Sequence, residues 1–312
     1  MPAIEVWRGA PNTWECDEMG HMNVRFYVAK MMEGLAWLAT ELGMPDAFAP
    51  GGVATLLPAD QHIRFLAEAR PGAPLFMRAG IVELGEADAI VFQELIHSGT
   101  GKPAATYRTR VIHVEARSGR PFAFSRRSKD LAEGLACSVP KHGQPRSIDL
   151  DIPPMVANRA VAEELGVSPI GRGVVDGAHC DAFGRMKPEF FIGRVSDSVP
   201  NLLAAWREKV AREASPSDGE QREAGAAVLE YRLAYRRWPK AGDRIEVRSG
   251  VVRVEEKTHA LSHWLVDPDG GPAWCTSEAV AVTFDLKTRK TIAASPEQRQ
   301  ELEAFRVDGL GI

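Results

Sequence analysis

The sequence predicts an α+β protein that contains two copies of one folding unit. Three observations support this: a motif occurs twice, each copy precedes an apolar helical stripe, and each helix precedes several alternating, strand-like segments. Residues 14–27 read WECDEMGHMNVRFY, and residues 178–191 read AHCDAFGRMKPEFF. Asp17 and Asp181 are separated by an offset of 164 residues. At the same offset, and without a gap, Cys16 matches Cys180, Gly20 matches Gly184, Met22 matches Met186 and Phe26 matches Phe190.

A second block of residues repeats at an offset of 170 residues. The matched pairs are Gly72 with Gly242, Arg78 with Arg248, Gly80 with Gly250, and Thr106 with Thr276. The change of offset requires a net insertion of about six residues, which the polar stretch 215–223 can hold. Two blocks in the same order indicate a duplication. The chain is therefore predicted to comprise an N-terminal unit (1–125), a linker (126–170) and a C-terminal unit (171–312).

Each copy is predicted to begin with a short strand, at 4–7 and at 173–176, followed by the motif and a helix. The first helix has an apolar stripe at alternating steps of four and three residues, and Gly43 and Pro45 follow it as stop signals. The stripe comprises Val24, Val28, Met31, Leu35, Leu38 and Leu42. The second helix opens with Pro188, and Pro200 is expected to interrupt it.

Several β-rich segments follow each helix, and polar turns separate them. In the first copy we predict strands at 60–69, 74–84, 88–97 and 104–115; in the second, at 226–237, 243–254, 258–266 and 274–286. The linker is rich in Pro and Gly, and we predict helical turns around 128–136 and 156–165. A closing helix is predicted at Ser295, where Pro296 and Gln298 complete a capping box.

Composition and motifs exclude several classes of protein. The formal net charge of −4 offers no footprint for nucleic acid, and the longest uncharged run is too short for a membrane span. The four cysteines form no CxxC pair, and the histidines show no metal-ligand spacing. The first ten residues lack a signal-peptide pattern, so we expect a cytoplasmic protein with reduced thiols. We expect no metal, no nucleic-acid partner and no membrane partner.

The motif, the helix and the strands that follow resemble the hot-dog fold, and more narrowly the 4-hydroxybenzoyl-CoA thioesterase and related acyl-CoA thioesterases. The matching residues are Asp17, Gly20, His21, Asn23 and Tyr27. The resemblance implies a long helix wrapped by an antiparallel sheet in each copy. Because family members pair two subunits into one continuous sheet, it also implies an intramolecular pseudo-dimer, a double hot-dog. Such chains can associate further into a homo-oligomer.

The resemblance assigns the chemistry to the first motif. Asp17 would attack the thioester or activate water, and backbone amides near Gly20 and His21 would stabilise the oxyanion. His21 would polarise the substrate or orient Asp17, and Asn23 would bind the thioester or a water molecule. An Asp before a helix is also a common helix cap, and turn polar groups often bond only within their turn. No cofactor is implied, because coenzyme A would arrive as part of the substrate.

Further residues are candidates for substrate binding. Tyr27 belongs to the matching motif. Alternation places His62 and Arg64 on one face of the strand after the first helix, where they line a pocket or face solvent. In the second copy, Arg185 replaces His and Lys187 replaces Asn. Arg is no general base, and two cations would hold Asp181 ionised in a salt bridge. We therefore expect one competent site, with Asp181 and Arg185 structural or used to bind an anionic part of the ligand.

The sequence thus predicts an acyl-CoA thioesterase that forms free acid and coenzyme A from a small-molecule acyl thioester. Three alternatives remain. A plant-type acyl-carrier-protein thioesterase also has tandem hot-dogs, but carries its His/Asn motif in the C-terminal half. A hot-dog hydratase has four residues between its Asp and His, whereas three separate Asp17 from His21. A non-catalytic acyl-CoA-binding protein is compatible with the altered second motif.

Overall fold

The structure, a computed structural model, describes residues 4–202, 210 and 224–312. The strands are β1 Ile4–Gly9, β2 Ala54–Phe65, β3 Leu75–Leu84, β4 Asp88–His97, β5 Pro103–Glu115, β6 Ser168–Val174, β7 Ala224–Tyr235, β8 Arg244–Val254, β9 His259–Val266 and β10 Cys275–Asp285. The helices of this part of the chain are α1 Val24–Glu41, α2 Arg126–Glu133, α3 Arg159–Glu164, α4 Glu189–Ser198 and α5 Pro296–Glu303. None of them is long and apolar enough to cross a membrane.

The chain divides into two compact units that interleave along the sequence. The first comprises Met1–Pro145, Val175–Ile192 and Trp238–Gly242, and the second comprises Arg146–Val174, Gly193–Arg237 and Asp243–Ile312. In the first unit, the antiparallel strands lie in the order β1-β3-β4-β5-β2. In the second unit, the order is β7-β10-β9-β8-β6, again antiparallel. The second motif turn therefore belongs to the same compact unit as the first motif turn.

Helix α1 packs its apolar stripe against the sheet of the first unit. Val28, Met31, Leu35 and Leu38 are fully buried, as the periodicity predicts. Two buried side chains of the sheet reach the backbone of the helix: the Gln93 amide donates to Met31 O at 2.9 Å, and the Tyr107 hydroxyl donates to Tyr27 O at 3.1 Å. These bonds fix which face of the sheet meets α1.

Most predicted elements are present, and two strands differ from their predicted bounds by more than two residues. β2 begins at Ala54 and ends at Phe65 instead of spanning 60–69, because Pro58 stands at a register shift where a strand tolerates proline. β6 begins at Ser168 instead of residue 173. The two glycines of β6 weaken the strand pattern in its sequence. Gly171 is needed there because the side chain of Ser198 occupies the space that a Cβ would take.

The helix signals are confirmed. Gly43 follows α1 with a φ of +77°, and the Ser295 capping box with Pro296 opens α5. Helix α4 ends at Ser198, and helical structure resumes at Pro200 after a break at Val199. The break is expected because Pro200 has no N–H to donate to the preceding turn. The predicted insertion at 215–223 lies outside the described residues.

Buried charges fasten the linker to the sheet of the second unit. Glu230 on β7 is 1 % exposed, and its carboxylate accepts the N–H groups of Arg146 and Ser147 at 2.9 and 2.8 Å. Two residues further along, Arg232 donates to the carbonyl oxygens of Asp149 and Ile152 at 3.0 and 2.8 Å. The linker backbone therefore receives its hydrogen bonds from strand side chains.

Replacing Glu230 with alanine should lower the free energy of unfolding by about 2–4 kcal/mol, because two backbone N–H donors lose a buried, charged acceptor. Chemical denaturation monitored by circular dichroism measures this loss. Glu133→Ala, at an exposed position in α2, is the matched control and should change stability by less than about 0.5 kcal/mol. Equal stabilities of the two variants would show that Glu230 does not hold the linker.

Candidate functional site

The two motif turns have the same backbone geometry. In the first, the Asp17 N–H donates to His21 O at 3.0 Å and the Gly20 N–H donates to Asp17 O at 3.0 Å. In the second, the Asp181 N–H donates to Arg185 O at 2.7 Å and the Gly184 N–H donates to Asp181 O at 3.1 Å. The sequence repeat is therefore also a repeat of local structure.

A left-handed glycine closes each turn. The φ angles of Gly20 and Gly184 are +76° and +80°, a region that residues with a Cβ rarely adopt. Nothing in the described chain lies within 4 Å of the position a Cβ would take at Gly20. The glycine is therefore required by the backbone conformation.

The Asp17 carboxylate is held by its own turn and lies against His21. Its Oδ1 accepts the Met19 N–H at 3.0 Å, and His21 Nδ1 lies 2.9 Å from the same oxygen. The two side chains are 12 % and 13 % exposed, so they are sheltered from solvent but still reachable. The contact with Asp17 is the largest cause that raises the pKa of His21 above its ordinary value, and burial opposes it. Asp17 and His21 therefore form a close carboxylate–imidazole pair.

The segment before α1 positions this pair. Lys30 is buried on α1, and its Nζ lies 2.7 Å from Glu15 Oε1. Glu15 O accepts the Asn23 N–H at 2.9 Å, which ties both ends of the motif together. In the second copy, the Lys187 N–H donates to His179 O at the same distance of 2.9 Å.

Asn23 and Tyr27 have structural partners. Asn23 is the N-cap of α1, and its side-chain oxygen accepts the Arg25 N–H at 3.0 Å. The helix cap is thus supplied by Asn23, which leaves Asp17 outside that role. The Tyr27 hydroxyl accepts the Ala69 N–H at 3.2 Å and contacts Ala67 O at 3.4 Å, and burial raises its pKa. Tyr27 therefore fixes the segment after β2 beside the first turn.

Sequence patterns did not connect Glu68 with the first turn, where its carboxylate is a second negative charge. The Met22 N–H donates to Ala69 O at 2.7 Å, and Tyr27 contacts both Ala67 and Ala69, so the segment that carries Glu68 lies beside the first turn. The Glu68 carboxylate lies 3.5 Å from Arg70 Nη2. The negative charge of Glu68 contributes to the raised pKa of His21. No local sequence pattern predicts that Glu68 lies near His21, because the two residues are 47 positions apart in the chain.

Removing either carboxylate should lower the pKa of His21. We expect the larger fall in Asp17→Asn, since the Asp17 contact is the largest contribution, and a smaller fall in Glu68→Gln. Titration of the His21 imidazole by NMR in the parent and in both variants measures the order. Glu133→Gln, at an exposed position in α2, provides the control. A His21 pKa that is the same in all four proteins would mean that the contact carries no electrostatic weight.

The second turn binds its own carboxylate, as the substitutions predict. Asp181 Oδ1 accepts the N–H groups of Phe183 and Arg185 at 2.8 and 2.9 Å, and Arg185 Nε lies 3.3 Å from Asp181 Oδ2. The expected salt bridge is therefore confirmed. The Met186 N–H donates to Pro239 O at 2.7 Å, which makes Trp238 the counterpart of Glu68. The second turn thus has neither a histidine nor a second carboxylate at the equivalent positions.

The structure does not bring His62 and Arg64 to the first turn. Their neighbours Ile63 and Phe65 face α1, because Ile63 pairs with Tyr107 and the Phe65 ring lies 5.1 Å from that of Tyr27. By alternation, His62 and Arg64 face the other side of the sheet. There His62 is buried, and Arg64 donates to Gln144 O at 2.7 Å. The structure thus separates these two side chains from Asp17 and His21, and their binding of substrate stays a prediction.

The cysteines beside the two aspartates have raised pKa values. Burial is the largest cause at both Cys16 and Cys180, and the adjacent Asp in each case adds to it. A thiol whose pKa is raised is a weak nucleophile near neutral pH. Within the described residues, no cluster of three or more His, Cys, Asp or Glu side chains could hold a metal ion. Asp17 and His21 are therefore stronger candidates for a chemical role than the two thiols.

Comparisons with known proteins agree with the repeated fold. The model of the thioesterase-like superfamily matches residues 11–140 and 175–302, one range for each copy. The 12:0-ACP thioesterase from Umbellularia californica shares the fold, with a TM-score of 0.65 at 11 % identity over 89 % of this chain and 93 % of that one. An acyl-ACP thioesterase from Bacteroides thetaiotaomicron gives 0.60 at 12 % identity over 88 % and 96 %. A search of curated proteins finds no match. The chain belongs to the thioesterase-like superfamily, as a tandem of two hot-dog repeats.

Proposed function

We propose that the protein hydrolyses an acyl-CoA thioester to the free acid and coenzyme A at the first turn, with Asp17 as the catalytic carboxylate. The observation that carries the proposal is the Asp17–His21 pair, sheltered, 2.9 Å apart and absent from the second turn, where Arg185 stands. Membership of the thioesterase-like superfamily supports this class of reaction. The finer assignment depends on the side chains of the first turn.

The reaction needs a base or nucleophile and a donor for the developing oxyanion. In one route, Asp17 removes a proton from a water molecule while the water oxygen attacks the carbonyl carbon. In the other, an Asp17 carboxylate oxygen attacks that carbon to form an anhydride, which water then hydrolyses. The C–S bond breaks in either route, and the thiolate takes up a proton that His21 can supply. Both routes give one acid and one thiol from one thioester and one water.

One backbone amide of the first turn is proposed to donate a hydrogen bond to the developing oxyanion. The Gly20 N–H already donates to Asp17 O, so the proposed donor is the His21 N–H. At the second turn the equivalent Arg185 N–H donates to Asp181 Oδ1 at 2.9 Å. That donor is occupied by the carboxylate of its own turn, which supports a single competent site per chain.

Incubation with a panel of acyl-CoAs of short, branched, aromatic and long chains tests the proposal. Loss of the ultraviolet absorbance of the thioester is the suitable signal, because the four free cysteines would react with a thiol reagent. We expect turnover of at least one member, lost in Asp17→Asn and retained in Asp308→Asn, a highly exposed control. Binding of acyl-CoA without turnover by the parent would favour the non-catalytic alternative.

An acyl-carrier-protein thioester is the second candidate substrate. It is favoured by the tandem arrangement, which the two structures named as acyl-ACP thioesterases share over most of their length. The same acyl group presented on coenzyme A and on a carrier protein separates the two candidates. A kcat/KM higher on coenzyme A supports the first, and the reverse order supports the second.

A further inference from the structure

The second turn gathers positive charge in the first compact unit. Arg185 and Lys187 belong to the second motif turn, and Arg25 is the second residue of helix α1. The Arg25 guanidinium lies 4.1 Å from the centre of the Phe190 ring, and Lys187 Nζ lies 6.0 Å from the same centre. Arg25 and Lys187 therefore lie near the N-terminus of α4, where the helix dipole adds partial positive charge. Arg185 adds a third cation from the same motif turn as Lys187.

The nearby carboxylates compensate this charge only in part. Asp181 is engaged by Arg185. Glu189 is a second acid at this end of α4, and burial is the largest cause that raises its pKa, so its charged form is disfavoured. The negative charge of Glu33 also acts on Glu189. Arg25 and Lys187 contribute to the field around Glu189, but each lies against the face of Phe190. The cluster thus retains capacity for an added anion.

Arg185 is buried without being satisfied. The residue is 6 % exposed, its guanidinium lies 5.2 Å from the Phe183 ring centre, and its Nη2 has no hydrogen-bond partner in the described chain. The Nε of Arg25 is also buried and without a partner there. An unpaired N–H of a buried guanidinium is costly. Each of these two donors therefore lacks an acceptor among the described residues.

We propose that the second turn is an oxyanion-binding subsite, in which Arg185 Nη2 binds a carboxylate or phosphate group of the ligand while Lys187 and Arg25 add positive charge. A guanidinium offers a planar fork that suits both oxyanions. The replacement of the histidine by Arg185 then converts a copy of the catalytic turn into a recognition site. The identity of the ligand rests on the proposed thioester hydrolysis, whereas the binding of an oxyanion does not.

Calorimetric titration of the whole protein with inorganic phosphate and, separately, with succinate tests the subsite directly. We expect saturable binding of at least one of them, weakened about 10- to 100-fold in Arg185→Gln, the loss that follows removal of a charge-assisted hydrogen bond. Arg159→Gln is the matched control, because Arg159 is exposed and paired with Glu163. Equal affinities in the parent and Arg185→Gln, or no binding of either anion by the parent, would overturn the proposal.

A second variant guards against misfolding. Arg185→Lys keeps the charge beside Asp181 but removes the guanidinium fork, so it should fold and still lose most of the affinity. If Arg185→Gln does not fold, the result for Arg185→Lys decides: affinity equal to that of the parent contradicts the proposal.

Kinetic measurements identify the source of the oxyanion. If it is a phosphate of coenzyme A, Arg185→Lys should raise the KM for acyl-CoA and leave that for acyl-pantetheine unchanged. If it is a carboxylate on the acyl group, the same variant should raise the KM only for chains that end in a carboxylate. An absence of turnover would contradict the proposed function, while anion binding by titration would still support the subsite.

Discussion

Replacing Asp17 with asparagine should lower kcat by about 10²- to 10⁴-fold, the usual contribution of a positioned acid–base group. Asparagine has the same size, and its amide oxygen can still accept the Met19 N–H that now bonds to Asp17 Oδ1 at 3.0 Å. The turn should therefore persist. What disappears is the negative charge beside His21 and the ability to take a proton from water or to form an acyl intermediate.

The measurement is the initial rate at saturating thioester, with circular dichroism and thermal unfolding as checks on the fold. Asp308→Asn is the control for loss of a carboxylate at an exposed position. A kcat for Asp17→Asn within about threefold of the parent is far below the effect of a catalytic group and would exclude Asp17 from that role.

Replacing His21 with alanine should lower kcat by about 10²-fold, at the lower end of the range for general acid–base groups, because Asp17 retains its own turn contacts. The raised pKa of His21 means that its imidazolium persists to a higher pH than that of an ordinary histidine. If this form supplies the proton to the leaving thiolate, kcat of the parent should fall as pH rises through that pKa. The fall should be absent from the residual activity of His21→Ala.

The pH profile separates a chemical role from a structural one. Loss of the packing of His21 alone would scale the rate equally at all pH values and leave the shape of the profile unchanged. His97→Ala, a substitution on β4 outside the first turn, should leave both rate and profile as in the parent. A profile of His21→Ala with the same fall as the parent would assign the titration to another group.

Local patterns predicted the parts of the fold that are determined locally. The stripe of α1 and the paired motif turns depend on residues three to four positions apart, and both are present. The Asp181–Arg185 salt bridge has the same spacing, which is why a substitution read from one sequence predicted it. The hot-dog resemblance and the family match then agree on the tandem arrangement.

Tertiary contacts determine what the sequence could not show. Glu68 reaches the first turn through the bonds of Met22 and Tyr27 to its neighbours, and nothing in its own vicinity marks it. Alternation predicts that His62 and Ile63 lie on opposite faces of β2. Only the pairing of Ile63 with Tyr107, whose hydroxyl donates to α1, shows which of the two faces packs against the helix. A single sequence therefore predicts the motif turns better than the residues that tertiary contacts bring beside them.

The central claim is that the first turn performs the chemistry and the second does not. The most direct test is kcat for Asp17→Asn and Asp181→Asn, prepared in parallel and assayed on the best thioester of the panel. The account predicts loss of about 10²- to 10⁴-fold for Asp17→Asn and a change of less than about threefold for Asp181→Asn, a difference of under about 0.7 kcal/mol in the barrier. Equal losses, or a larger loss from Asp181→Asn, would contradict it.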